Sequence, residues 1–211
     1  MGNMMNRKHQ KNIALFGGSF NPPHKGHGQV LAWLAGLTQF DEVWLVPSFG
    51  HPFLKRMIPF SHRVRLCQLL VADWVNDAVF KKDSSLKKKV KVSSFEKKMG
   101  KKPVYTYNLL TRLKKEFPGV KWTLVLGSDC KKDLHRWKNY KGLLKKADFY
   151  FIPRAGFHVR AIHELPLRFL DISSTELREK LPGKKGVKKY ISPSVLKYIR
   201  DKKLYENSPR P

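Results

Sequence analysis

Two histidines three residues apart close a loop that opens with paired glycines: Gly17-Gly18-Ser19-Phe20-Asn21-Pro22-Pro23-His24-Lys25-Gly26-His27. The glycines allow backbone N–H groups to approach a ligand closely. Pro22 and Pro23 fix an extended approach and bring no N–H donors of their own. On the first turn of a helix, positions three apart share a face, and the helix dipole there favours negative charge. Two imidazoles with backbone donors suit a triphosphate whose α-phosphate is attacked while pyrophosphate leaves, because they neutralise growing charge without a covalent intermediate. No Gly-Lys-Ser/Thr closes the loop, so it is not a P-loop, and the absence of GxGxxG removes the main support for a dehydrogenase. A second group lies far downstream in Ile172-Ser173-Ser174-Thr175-Glu176-Leu177-Arg178. Ser173 and Glu176 have the spacing of a capping box, and Arg178 by itself reads as a solvated helix residue.

Both groups need strand-to-helix corners to hold them. Ile13 to Phe16 is a short apolar run that stops at Gly17, which predicts a buried strand running into the loop. Val30, Trp33, Leu34 and Leu37 then repeat at helical spacing. Glu42 to Pro47 predicts a second strand, completing a βαβ unit with a right-handed crossover. Further on, Ser61 is expected to cap a helix carrying Leu66, Leu69, Leu70 and Trp74. Val90 to Phe95 reads as a strand, and Thr106 as the cap of a helix with Leu109, Leu110, Leu113 and Phe117. Trp122 to Leu126 and Phe149 to Ile152 read as buried strands, and Leu170 to Ile172 as a short one. Ser173 is expected to start a helix, and Pro193 another that runs to about Leu204. This alternation predicts an open, doubly wound, mostly parallel α/β sheet with ligands at the carboxyl ends of its strands. The expected organisation is a polar lead over 1–11, one domain over 12–205 whose segment 172–205 is a small helical part, and a tail over 206–211.

With 43 Lys plus Arg against 16 Asp plus Glu, the 211 residues carry a net charge of +27, a field that attracts anions of any kind. Residues 81–102 hold ten lysines against Asp83 and Glu96 alone, and 184–189 form a second basic run; both are expected on exposed loops or edges. Cys67 and Cys130 have neither disulfide-scaffold nor zinc spacing, and Cys67 sits in an apolar helical pattern. No signal-peptide pattern and no membrane-spanning apolar stretch is found, so a cytoplasmic protein without a membrane partner is expected.

The first loop resembles the (T/S)-F-(D/N)-P-x-H-x-G-H signature of the nucleotidyltransferase superfamily, and Ile172 to Arg178 looks like the ISSTxxR motif of its nicotinate-mononucleotide branch. Gly127-Ser128-Asp129 and Leu134-His135-Arg136-Trp137 resemble that branch's G-x-D and L-x-x-W elements, Tyr105-Thr106 its YT helix start, and Arg154-Ala155-Gly156 its RxG loop. The resemblance implies a Rossmann-like fold and transfer of AMP from ATP to nicotinate mononucleotide, giving deamido-NAD and pyrophosphate. It implies that His24, His27 and Arg178 act on the phosphates, with His27 nearest the α-phosphate. ATP would lie against Gly17, Gly18, Ser19, Phe20, Gly26, Gly127, Arg154, Ser173, Ser174 and Thr175. The mononucleotide would meet Thr106, Asp129, Trp137, and His51 and Lys55 in the loop after the second strand, where many relatives carry Pro-Pro-His-Lys. Mg²⁺ would accompany ATP on phosphates and water, because no carboxylate cluster is visible to cage it.

Plainer readings stand beside these. Ser173 can cap its helix and still lie against a ligand, Trp137 can serve core packing as well as a ring, and Asp129 can form a turn. Nicotinamide mononucleotide is the nearest alternative acceptor, followed by a phosphopantetheine adenylyltransferase or a cytidylyltransferase. A nucleic-acid-binding protein is the alternative of another class, although no helix-turn-helix, zinc finger or RNP motif is present. The charge itself predicts only incidental, salt-sensitive affinity for nucleic acid.

Overall fold

A computed structural model describes residues 9–50, 57–74, 85–100, 102–152, 170, 172–181 and 186–206. Five parallel strands form one sheet: β1 (Asn12–Gly18), β2 (Glu42–Pro47), β3 (Val90–Val92), β4 (Lys121–Gly127) and β5 (Asp148–Ile152). Their order is β3-β2-β1-β4-β5. β1 pairs with β2 on one side, Gly18 opposite Pro47, and with β4 on the other, Phe16 opposite Val125. Strand order reverses at β1, so the crevice past its carboxyl end is the place where a doubly wound sheet binds ligands.

The alternation of β1 explains the two-layered core. Ala14 and Phe16 face a cluster with Leu31 and Leu34 of α1 (Lys25–Gly36) and Cys67 of α2 (Phe60–Trp74). Ile13 and Leu15 face the other side, where Leu110 and Leu113 of α5 (Thr106–Glu116) pack on Trp122 and Leu124. Helix α2 serves two cores at once. Cys67 looks to the sheet, while Leu66 and Leu70 meet Leu177 of α7 (Ser174–Lys180) and Val195, Leu196 and Ile199 of α8 (Pro193–Asp201). Asp73 of α2 accepts both the backbone N–H of Ser194 (2.8 Å) and its hydroxyl, which fastens the first turn of α8. The carboxyl-terminal helices thereby dock on the helix that flanks the phosphate-loop side of the sheet.

Several local expectations shift. Helix α2 begins at Phe60, and the Pro59 carbonyl takes the Arg63 N–H (3.3 Å), so Ser61 lies inside the first turn and does not cap it. Tyr105 holds the cap position of α5, and Thr106 is its first helical residue. The third strand stops at Val92. Ser93 still donates to Leu45 O (2.9 Å), but its hydroxyl then takes the Phe95 N–H (3.2 Å), and the chain turns into the short helix α4 (Phe95–Lys98). The other short lysine-rich helix, α3 (Ser85–Lys89), leads into β3, so the described part of 81–102 lies at the sheet edge. Leu170 and Ile172 belong to no strand: Leu170 N–H donates to Gln29 Oε1 (2.8 Å) and Ile172 N–H to Leu170 O (3.1 Å). The last helix ends at Asp201, where Lys203 and Tyr205 take left-handed φ values of 50° and 69°.

Candidate nucleotide site

The loop leaving β1 is held from its own side chains outward. Phe20 takes a left-handed φ of 45°, an uncommon and costly conformation for a bulky residue. It is buried with its ring edge-on to both Phe16 (5.6 Å between centroids) and His27 (5.0 Å). His24 caps α1 from an extended conformation, and its backbone N–H donates to His27 Nδ1 (3.1 Å). That bond makes Nδ1 the acceptor, so a neutral His27 carries its proton on Nε2, ready to donate to an anion. The two imidazoles stack with centroids 3.6 Å apart. Gly26 is required by space: a Cβ there would lie 3.0 Å from His24 Nδ1 and 3.2 Å from the Leu170 carbonyl oxygen. At Gly18 a Cβ would meet the Phe20 ring at 3.0 Å, whereas at Gly17 it would meet no described protein atom within 4 Å.

The two corners singled out in the sequence converge. Arg178 Nη1 donates to Asn21 O (2.8 Å) and to Ser174 O (3.1 Å), and Nη2 donates to Thr175 Oγ1 (3.1 Å). The Ser174 hydroxyl donates to Pro22 O (2.8 Å), and Lys25 N–H to Tyr190 O (2.7 Å). At the start of α7 the capping box is complete: Ser173 N–H donates to Glu176 Oε2 (2.8 Å), and Glu176 N–H to Ser173 Oγ (3.1 Å). The Ser173 backbone bond, then its side-chain bond, hold the Glu176 carboxyl below its ordinary range. The Ser173, Ser174 and Thr175 side chains are thus turned to protein partners, and the Ser173 N–H to Glu176, which leaves the backbone N–H groups of Ser174 and Thr175 as the donors on offer to a ligand.

On the β4 side, Gly127 ends the strand, and Ser128–Arg136 continues as a 3₁₀ turn that starts with buried Ser128 and Asp129 and delivers Trp137 to the edge of the second core cluster. Lys138 Nζ lies 4.8 Å above the Tyr105 ring, which ties the start of α5, with Thr106, to the end of that turn beside Trp137. His51, Lys55 and Arg154 lie outside the described residues.

Three contributors escaped sequence reasoning. Arg63 is buried, and its guanidinium donates to Ile58 O (3.1 Å), Ser19 O (2.8 Å) and Ser48 O (2.6 Å), joining the loops that leave β1 and β2. Burial pulls its pKa below the ordinary arginine value. Its signal was available: Arg63, Leu66, Cys67 and Leu70 occupy one helical stripe, where a charge is out of place unless it has partners. Glu96 is buried and accepts the Phe49 N–H (2.7 Å). Tyr205 is buried, and its hydroxyl donates to Asn21 Oδ1 (2.9 Å), with burial raising its pKa far above the ordinary phenol.

Comparison with known proteins agrees with this geometry. Residues 15–180 match the family described as cytidylyltransferase-like, and the chain belongs to that family. Within it, the chain falls among the nicotinate-nucleotide adenylyltransferases. A "Probable nicotinate-nucleotide adenylyltransferase" of Myxococcus xanthus (strain DK1622) is 31% identical over 92% of this chain and 94% of its own. The "Nicotinate-nucleotide adenylyltransferase" of Bacillus subtilis (strain 168) is 30% identical over 93% and 100%. Among solved structures, the Plasmodium falciparum nicotinic acid mononucleotide adenylyltransferase complexed with NaAD superposes with a TM-score of 0.81 at 27% identity, covering 95% of this chain and 100% of that one.

Proposed function

We propose that this chain is a cytoplasmic enzyme of NAD synthesis that transfers AMP from ATP to nicotinate mononucleotide, forming deamido-NAD and releasing pyrophosphate. The observation that carries the reading is the meeting of the β1 loop and the α7 corner at Asn21, Pro22, Ser174 and Arg178 beside the stacked imidazoles. A mononucleotide phosphate oxygen forms the new bond to the α-phosphorus. The bond from that phosphorus to the β-bridging oxygen breaks, and pyrophosphate leaves with the electron pair. The attacking phosphate is already ionised at neutral pH, so the protein supplies position and charge stabilisation, and no strong general base is needed. His27, as an Nε2–H donor, serves the α-phosphate. His24, Gly17, Gly18, Ser19, Phe20 and Gly26 line the triphosphate, and Arg178 with Ser173 and the backbone of Ser174 and Thr175 closes over it.

Gly127 and Arg154 complete the adenosine side. Thr106, Asp129, Trp137, His51 and Lys55 form the acceptor side. Among the described residues no group of three or more His, Cys, Asp or Glu could hold a metal ion, and the loop offers hydrogen-bond donors suited to anions. Mg²⁺ would enter with ATP, on phosphate oxygens and water. The test is pyrophosphate release from ATP and Mg²⁺ with nicotinate or nicotinamide mononucleotide. Release with the nicotinate compound is expected. No release with either overturns the reading, and release confined to the nicotinamide compound overturns the acceptor.

A further inference from the structure

One peptide group at the mouth of β2 is gripped at both ends by buried charges. The carbonyl of Ser48 accepts Arg63 Nη2 at 2.6 Å, and the N–H of the same peptide, on Phe49, donates to Glu96 Oε2 at 2.7 Å. The preceding N–H, on Ser48, donates to Gly18 O at 2.9 Å. Arg63 is 1% exposed and Glu96 7%. Arg63 also holds Ser19 O in the loop that follows β1, so one guanidinium spans the carbonyls of both loops. A buried carboxylate is expensive unless it is bonded, and removing either end of such a grip leaves the other charge uncompensated.

We propose that Glu96 is a positioning residue for the acceptor: acting through the Ser48–Phe49 peptide and opposed by Arg63, it fixes where the loop leaving β2 starts relative to the phosphate loop. This rests on the assignment of that loop to the acceptor under Proposed function. In sequence, His51 follows Phe49 by two residues. Misplacement by about 1 Å far from the reacting atoms can lower an enzymatic rate roughly 10²-fold.

Among the described residues, few charged and titratable groups surround Glu96. From α2 comes Arg63. From the chain before α5 comes exposed Lys102, whose ammonium lies 4.5 Å from the Phe49 ring centroid, and from Glu96's own helix come exposed Lys97 and Lys98. Cys67 and Tyr205 stand near Arg63, but burial raises both far above neutrality and keeps them uncharged. Burial also raises Glu96, against the Phe49 bond and the Arg63 charge, to about 7. The grip is therefore charge-assisted above neutrality and weakens as the carboxylate takes up a proton below it.

The test uses the full chain and Glu96→Gln, an isosteric variant that cannot ionise. In ¹⁵N-phenylalanine-labelled protein, the Phe49 amide, assigned by its loss in Phe49→Leu, is followed from pH 5.5 to 8.5. Its proton shift is expected to titrate near neutrality in the parent and to stay flat in Glu96→Gln. No titration in the parent, or titration that persists in the variant, overturns the grip. Kinetics at pH 8 are expected to show KM for nicotinate mononucleotide raised about 10-fold or more in Glu96→Gln, with KM for ATP within about 2-fold of the parent. Equal rises in both constants, or none, overturn the acceptor role. If the parent releases no pyrophosphate with either mononucleotide, the acceptor role falls with the functional reading, and the amide titration alone decides the grip.

Discussion

At the scale of single residues, the site separates groups that the fold needs from groups that only a ligand explains. Gly17 is the sharpest case. Its Cβ position faces no described protein atom within 4 Å, and its φ is not left-handed, so nothing among the described residues demands glycine there. Gly17→Ala should melt like the parent while KM for ATP rises about 10-fold, since a methyl group would occupy the space a phosphate approaches. An unchanged KM with an intact fold would remove Gly17 from the ATP site. His27 carries the heavier load. Loss of one preorganised donor to developing charge typically lowers turnover roughly 10²–10³-fold, and His27→Ala should lose at least that with its melting curve preserved. A variant that turns over like the parent would move the α-phosphate to another donor. The pairing of the two histidines was legible from residue type and spacing, but His24 stands at the cap of α1 in extended backbone and not on its first turn. The bond from the His24 backbone to His27 Nδ1, which selects the proton-bearing nitrogen, was not legible. It depends on the extended backbone at His24, which Phe20 and the packing around it impose.

Elements hold these residues through a small number of ties. Glu42, on β2, accepts Lys11 from the chain entering β1 (2.6 Å), Lys91 from β3 (2.7 Å) and the Trp44 indole N–H (2.7 Å), so one carboxylate staples three neighbouring strands. Burial alone would raise its pKa, but these three bonds outweigh burial and lower it to about 2 from 4.5. A carboxyl whose folded pKa is depressed stabilises the fold above its unfolded value and loses that contribution as pH falls through its folded value. Stability should therefore decline between about pH 4.5 and 2, and Glu42→Gln should flatten that slope. At neutral pH the variant should lose about 1–2 kcal/mol, because the exposed lysine ends are screened by solvent. Chemical denaturation of parent and variant at pH 7 and pH 3 checks both. Gly26→Ala should also cost stability, about 1–3 kcal/mol by overpacking, because the methyl group would press on the His24 ring and the Leu170 carbonyl. Thermal melts with activity assays test it, and a neutral result would mean that this corner is looser than its contacts imply.

For the whole molecule, the unusual quantity is charge. The short helices α3 and α4 and the edge strand β3 carry the described lysines of 81–102 other than Lys102, and β3 is the margin of the sheet. Replacing Lys81, Lys82, Lys87 and Lys88 with Gln should leave turnover within about 2-fold while lowering retention on immobilised DNA in low salt. A collapse of turnover would bring this margin into the active site. The alternation of strands and helices, the βαβ opening and the two corners were legible because strand and helix periodicities and capping spacings are local properties of the chain. Strand β3 was read too long and Leu170–Ile172 as a strand, because β-branched and apolar residues look alike in sequence whether they pair or turn. There, a serine hydroxyl and a glutamine side chain took the backbone groups that a ladder would have used. Ser61 and Thr106 were misread as caps because the helix starts depend on where the preceding chain becomes extended.

The sequence by itself determined the layered α/β arrangement and the family to which the chain belongs. Only the tertiary structure decided that Arg178 reaches back to Asn21, that Tyr205 holds the same asparagine, and that Arg63 and Glu96 grip one peptide from opposite sides. The reason is range. Periodicity and capping are set by neighbours a few positions apart, whereas a buried charge is tolerated only where distant backbone groups have been brought to meet it, and no spacing along the chain encodes that meeting.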